Sequence, residues 1–241
     1  MNPVLIVVHN CIELTRRCVE SAEKQTVPTT ISIIDNGSTD GTREWLVGSP
    51  YEYMIRTGNH GVSSAWNIGL QAFFKAGAEH VLIVNNDTVM PPWFYQRLLE
   101  YDLPFVTGVS VGSMEEIATE PPANTPTDGP DFSAFLIRKS VVDSVGTFDE
   151  GMVMYAQDLD FHIRAHRAGI RLSNAHIPFF HERSSTLNSA PPREKRLIEM
   201  RADADRAVFA EKWGCETWSR EYAAMLAPET FGIGQKESSH E

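Results

Sequence analysis

The chain has 241 residues, 42% hydrophobic and 22% charged, with a formal charge of −11 from 21 basic and 32 acidic side chains. That length buries a substantial core in one large α/β domain with a terminal appendage, and the composition excludes a disordered or fibrous chain. The acidity excludes a general basic field for nucleic acid or an anionic membrane.

Residues 4–8 form a short β-branched run ended by polar His9-Asn10, which predicts a buried strand. The run has no basic segment ahead of it and is too short for a signal peptide or a membrane span. No later stretch approaches spanning length. A lipid-linked substrate would then be met only peripherally. Residues 13–24 follow as a helix with Leu14, Cys18, Val19 and Ala22 at its apolar positions, and residues 31–34 as a second strand. That strand ends in Asp35-Asn36-Gly37-Ser38-Thr39-Asp40-Gly41, the kind of turn-rich segment where open α/β sheets place ligands. Asp40 or Thr42 is expected to cap a short helix through Trp45-Leu46.

Residues 53–56 predict a third strand, 63–75 a helix, and 81–84 a fourth strand stopped by Asn85-Asn86-Asp87 and then Pro91-Pro92. Strands alternating with helices over about a hundred residues predict a parallel or mostly parallel sheet. After residues 105–111 the texture changes. The segment 113–131 is rich in Glu, Pro, Thr and Asp and reads as a long surface loop, either a disordered insertion or a lid or acceptor loop. Order returns with 132–137, a helix near 139–145, a helix over 155–168 and a helical stretch over 193–226. The polar tail from about Pro228 is expected to fray. Cys11, Cys18 and Cys215 show no CxxC spacing and leave an odd count, so reduced thiols in a cytoplasmic protein are expected.

Each acidic cluster has a plain reading beside a chemical one. Asp35 can accept the N–H of a pyrimidine base or a ribose hydroxyl, or can simply cap backbone amides in its turn. Asn85-Asn86-Asp87 offers one carboxylate among carbonyl-bearing side chains. That suits a hard cation which keeps waters and binds diphosphate oxygens, and it also suits an Asx-rich turn. Asp158 and Asp160 stand two apart on a helix, on different faces, so one can face a cleft as a base while the other holds a structural partner. A solvated acidic helix start is the plain alternative. His181 follows Phe179-Phe180, and a lone histidine is more often structural than a ligand. His162 and His166 stand at i, i+4 without the glutamate of a zinc protease and read as a helix face. No GxGxxG follows the first strand and no GxxxxGKS/T occurs, which argues against dinucleotide and P-loop sites.

The order and spacing of these segments resemble family 2 glycosyltransferases of the GT-A fold. The string Ile33-Ile34-Asp35-Asn36-Gly37-Ser38-Thr39-Asp40-Gly41-Thr42 is similar to that family's nucleotide-binding segment. Asn59-His60-Gly61-Val62-Ser63-Ser64-Ala65-Trp66-Asn67-Ile68-Gly69 resembles its N-x-G-x-x-x-A-x-N-x-G helix start, and Val84-Asn85-Asn86-Asp87 falls at its DxD-type metal motif. Val145-Gly146-Thr147-Phe148-Asp149-Glu150 is similar to its vGgFDE turn, Gln157-Asp158-Leu159-Asp160 to its E-D-x-D cluster, and Lys212-Trp213-Gly214 to its late KWG. The resemblance covers residues 3–214 and is nearest to rhamnosyltransferase-like members.

The resemblance implies a GT-A (Rossmann-like), mostly parallel central sheet flanked by helices, with a helical C-terminal segment. Residues 1–112 would form the nucleotide-sugar half, 113–190 the acceptor and catalytic half, and 191–241 the C-terminal helical segment and tail. It implies an inverting, metal-dependent transfer from a UDP- or dTDP-sugar to the hydroxyl of a glycan, a lipid-linked saccharide, a protein or a small molecule. Asp158 would be the base, with Asp160 the fallback. His9, Asp35, Asn36, Asn59, Gly61, Asn67, Asn85 and Asn86 would meet the nucleotide. Asp87 would hold Mn²⁺ or Mg²⁺, with His181 the preferred second ligand. Three departures stand out: Asn85 replaces the leading aspartate of the metal motif, Gln157 replaces the glutamate before the base, and Trp66 stands where many members carry arginine. Without an acidic neighbour at 157, the Asp158 pKa is expected nearer its ordinary value. The competing readings are a non-catalytic sugar- or nucleotide-binding module and a nucleotidyltransferase, the latter wanting a basic Gly-rich segment after the first strand that His9-Asn10-Cys11-Ile12 does not supply.

Overall fold

The computed structural model of the protein describes residues 2–182 and 191–227; the expected frayed tail from Pro228 lies outside them. The strands are β1 (Pro3–Val8), β2 (Thr30–Asp35), β3 (Glu52–Ile55), β4 (His80–Asn85), β5 (Thr88–Val89), β6 (Phe105–Val111), β7 (Thr127–Asp128), β8 (Ala134–Arg138) and β9 (Ser173–His181). The helices are α1 (Ile12–Glu23), α2 (Thr42–Val47), α3 (Val62–Lys75), α4 (Phe94–Glu100), α5 (Lys139–Val145), α6 (Gln157–Arg167), α7 (Pro192–Trp213) and α8 (Arg220–Met225), with a 3₁₀ turn at Met114–Ile117.

The sheet runs β3-β2-β1-β4-β8-β6-β9-β5, with β7 paired to β9. The first four strands pair in parallel. β8 is antiparallel to both β4 and β6, β6 is parallel to β9, and β5 and β7 run against β9. β1, β2, β3, β4, β6 and β9 therefore share one direction. This is a mixed α/β fold with a central, mostly parallel sheet flanked by helices. The continuous apolar run of β1 follows from this position, since a central parallel strand is covered on both faces. Val4, Ile6 and Val8 join the core under α1 and α4, while Leu5 and Val7 join the core under α3 and α6. A third cluster packs Leu159 and Ile163 of α6 against Phe209 and Tyr222 from the C-terminal helices.

The segment 113–131 is pinned rather than a disordered insertion. Ser113 and Glu116 close a capping box, Arg97 donates to Glu120 and to the Pro121 carbonyl, and β7 adds to the sheet. Four of these strands and helices lie outside the sequence expectation: α4, the two-residue β5 and β7, and β9. β9 carries Pro178, a left-handed His176 at φ 53° and a register shift against β6, each of which interrupts the period of a regular strand. Among the described residues no helix is long and apolar enough to cross a membrane.

Candidate active site

The loops that follow β1, β2 and β4 are stitched together by side-chain amides and carboxylates. Asn10, left-handed at φ 58°, accepts the Thr39 N–H on its Oδ1, and its own N–H goes to Ser38 Oγ at 2.7 Å. Asp40 accepts from Ile12 N at the start of α1 and from Thr42 N at the start of α2, so one carboxylate caps both helices. Its burial works against ionisation, but these bonds and the Thr42 hydroxyl hold its pKa below the ordinary range. Asn86 donates to the Asn10 carbonyl and to Thr15 Oγ1, which anchors the end of β4 on α1. Cys18 donates to the Asn85 carbonyl, and burial pushes its thiol up to about 12, away from nucleophilic use.

Asp35 is sealed from solvent. Its Oδ1 accepts the Ser38 N–H at 2.9 Å, while its Oδ2 has no hydrogen-bond partner among the described residues. Asn36 donates to Asn59 Oδ1 and to the Gly61 carbonyl, and Arg56 donates to Asn36 Oδ1 at 3.0 Å. Gly61 and Asn67 serve packing. A Cβ at Gly61, whose φ is 89°, would run into the Val153 carbonyl. Asn67 donates to Phe148 O and Glu150 Oε1 and accepts the Phe148 N–H, so it holds the 148–150 turn.

At the end of β4 the chain turns into β5, which pairs with the end of β9 so that Thr88 faces His181. This hairpin-like closure brings His181 Nε2 to 3.2 Å from Asp87 Oδ1. The pair presents one carboxylate and one imidazole, both mostly buried. No group of three or more His, Cys, Asp and Glu side chains is gathered for a metal among the described residues. A magnesium- or manganese-type ion that keeps waters and takes diphosphate oxygens is compatible with two protein ligands. The donor set fits such an ion, provided His181 offers Nε2 as a lone pair.

The first turn of α6 separates its two carboxylates. Asp160, 0% exposed, accepts from Arg164 Nε at 2.8 Å and from Trp213 Nε1 at 3.1 Å, and pairs with Lys212 Nζ at 2.7 Å. Lys212 also reaches Asp149, tying the 148–150 turn to α7. Asp158 instead faces a cavity of about 640 Å³. Burial pushes its carboxyl above the ordinary range; the N–H groups of Leu159 and Asp158 pull it back, and the charge of Asp131 adds to the rise. This departs from the expected ordinary pKa: Gln157 is neutral, but burial raises the Asp158 carboxyl regardless, and Asp131 adds a smaller push from another segment. Asp131 is itself fixed, accepting from Ser110 N and Ser133 N.

The same cavity is lined by His9, Asn36, Asn59, Asn85, Asn86, Asp87 and Asp158. Asp35, Gly61, Asn67, Asp160 and His181 are not on its wall; His181 reaches the site through Asp87. Trp66, Asp131, Ser133, Gln157 and Asn174 are on the wall without having been named as site residues. Asp131 had no sequence signal beyond its place just before the ordered stretch 132–137. Trp66 and Gln157 had one, as departures from a pattern. The loop before α6 is held from two sides: Ser63 Oγ donates to Met152 O, and the Asp205 carboxylate of α7 accepts the N–H groups of Val153, Met154 and Tyr155 at 3.0, 2.7 and 2.9 Å.

A mostly parallel sheet whose β1, β2 and β4 lead into the walls of one cavity, at His9, Asn36 and Asn85 to Asp87, defines a GT-A-like fold. Residues 4–163 match the family model of Glycosyl transferase family 2, and the chain belongs to that family. It is 23% identical over 171 residues to the low-salt glycan biosynthesis hexosyltransferase Agl10 of Haloferax volcanii, a match spanning 60% of this chain and 56% of that protein. The chain thus spans little more than half the length of that curated relative. Among solved structures it is similar to S. aureus TarS (TM-score 0.59, 17% identity, 94% of this chain and 42% of that one). It is also similar to the mannosyltransferase PcManGT from Pyrobaculum calidifontis in complex with GDP-Man and Mn²⁺ (TM-score 0.58, 18% identity, 93% and 67%).

Proposed function

We propose that the protein is an inverting, metal-dependent glycosyltransferase that moves a sugar from a UDP- or dTDP-sugar to an acceptor hydroxyl. The observation that carries this reading is Asp158: a carboxylate with a raised pKa on the wall of the cavity that Asp87 and Asn36 also line. A carboxylate with a raised pKa accepts a proton more readily than an exposed aspartate does. Asp158 takes the proton of the acceptor hydroxyl while that oxygen bonds to the anomeric carbon and the bond to the diphosphate breaks, inverting the centre. Asp87 and His181 would hold Mn²⁺ or Mg²⁺, which when bound supplies Lewis-acid stabilisation of the departing diphosphate. The charged side chains on the described wall, Asp87, Asp131 and Asp158, give a diphosphate good reason to bring a counter-cation.

The relatives support the reading by what they are. One is a hexosyltransferase, and two neighbours were solved with Mn²⁺, PcManGT with GDP-Man and GalNAc-T7 with UDP and GalNAc. A hexose or deoxyhexose donor, rhamnose included, is consistent with them, as is a glycan, lipid-linked saccharide or protein acceptor. Placement in the cytoplasm, peripheral to a membrane where the acceptor is lipid-linked, belongs to the same proposal. The test is a thermal-shift and transfer screen of nucleotide sugars with Mn²⁺ and Mg²⁺. A donor present at a hundredfold its Kd raises stability by about 2.7 kcal/mol, and chelator abolishes transfer. Transfer indifferent to chelator would remove Asp87 and His181 from their roles.

A further inference from the structure

Two polar groups on the cavity wall are buried without a hydrogen-bond partner among the described residues. Trp66 is 2% exposed, packed edge-on to Phe135 and tilted against Phe148, and its indole Nε1 has no hydrogen-bond partner among the described residues. Gln157 is 6% exposed, and its Oε1 likewise has none. Both line the same cavity as Asp158. Native structures rarely leave such atoms unmatched, and each one calls for an explanation. An indole N–H only donates and an amide oxygen only accepts. A hydroxyl is the small group that answers both, accepting from Trp66 and donating to Gln157. A carboxylate could answer only Trp66, and it would do so on a wall that already carries Asp131 and Asp158.

We infer that Trp66 and Gln157 are specificity-determining residues that read hydroxyls of the transferred sugar and select an uncharged sugar over a uronic acid. This rests on the donor-site reading above and deepens it. Gln157 directly precedes the base Asp158, so its side chain belongs with the sugar, whose anomeric carbon the base serves, rather than with the nucleotide.

The experiment is calorimetric titration of wild type, Trp66→Phe and Gln157→Leu in the presence of Mn²⁺. The ligands are UDP, dTDP and GDP, each against its sugar conjugate: UDP-glucose, UDP-glucuronate, dTDP-rhamnose and GDP-mannose. Binding of any parent diphosphate by wild type reads the donor site; if none binds, the donor-site reading fails and this inference falls with it. For the best-bound conjugate, each substitution should leave the parent diphosphate Kd within about twofold and weaken the conjugate about tenfold, the effect of one lost buried hydrogen bond. Wild type should bind UDP-glucuronate at least about tenfold more weakly than UDP-glucose, the expected cost of placing a carboxylate against an unmatched acceptor. Equal weakening of diphosphate and conjugate, or no weakening of either, would overturn the assignment while leaving the donor site standing. Retained diphosphate binding also shows that each variant is folded, and Gln157→Leu keeps the question open to test if Trp66→Phe disturbs the core.

Discussion

Asp158 and Asp160 stand two residues apart on the same helical turn, and the structure gives them opposite surroundings. Asp160 is closed off among Arg164, Lys212 and Trp213, three donors that satisfy its two oxygens. Asp158 faces open volume with a second carboxylate, Asp131, near enough to raise its pKa. Helix geometry alone sets the difference, since a step of two residues turns a side chain through slightly more than a half circle. An acidic pair in sequence is thus one carboxylate open to a cavity and one clamp.

The comparison is most directly broken at the base. Asp158→Asn should lower transfer about a thousandfold with nucleotide-sugar affinity nearly intact; near-wild-type turnover would end its assignment. Because burial raises the Asp158 pKa, its ionisation costs folding stability as pH rises from the ordinary carboxylate pKa through the raised one. The asparagine variant should therefore melt no lower than wild type above that window. Asp160→Ala should do the reverse. It leaves Arg164 and Lys212 facing an empty site and should cost about 3 kcal/mol, the low end for a broken buried pair because Lys212 keeps access to water. Denaturant titration measures the loss, and the residual folded fraction should retain turnover; a drop in kcat without a drop in stability would make Asp160 the base instead.

Finer cuts follow. Trp213→Phe removes one donor from Asp160 while keeping an aromatic ring against Arg167, and should cost about 1 kcal/mol in the same titration. Asp131→Asn removes a charge that raises the Asp158 pKa, so the acid limb of the kcat/KM profile should move to lower pH with its plateau unchanged. An unmoved limb would mean that another group titrates there.

The parallel half of the fold was legible because each strand is an apolar run closed by a turn-rich segment, as β1, β2 and β4 are. β9 was not, because Pro178 and the left-handed His176 disguise it. α4 was hidden behind Pro91-Pro92, which read as punctuation alone. For the site, the family-like strings pointed to loops that line the cavity, but not always to residues on its wall. Gly61 is required by the Val153 carbonyl and Gly69 by the Leu5 side chain, while Asn67 fastens the 148–150 turn. A string that looks nucleotide-binding is in part a packing signature. Asp131 shows the opposite failure. It sits in a segment with no period, and only the three-dimensional return of that segment beside α6 reveals what it does to Asp158.

The three bonds that Asp205 accepts from the loop before α6 also bear on the order in which the protein sets. Asp205 lies 50 to 52 residues after its partners, so during synthesis the loop is complete well before the carboxylate that holds it. Until α7 docks, the Val153, Met154 and Tyr155 amides lack their acceptor, and only the α3 side, through Ser63, holds the loop that leads to the left-handed Ala156 at the start of α6. The wall bearing Asp158 is then the last part of the site to become rigid, after β1, β2 and β4 have paired. Pulse-labelled hydrogen exchange during refolding should find residues 153–155 protected together with α7 and later than those three strands.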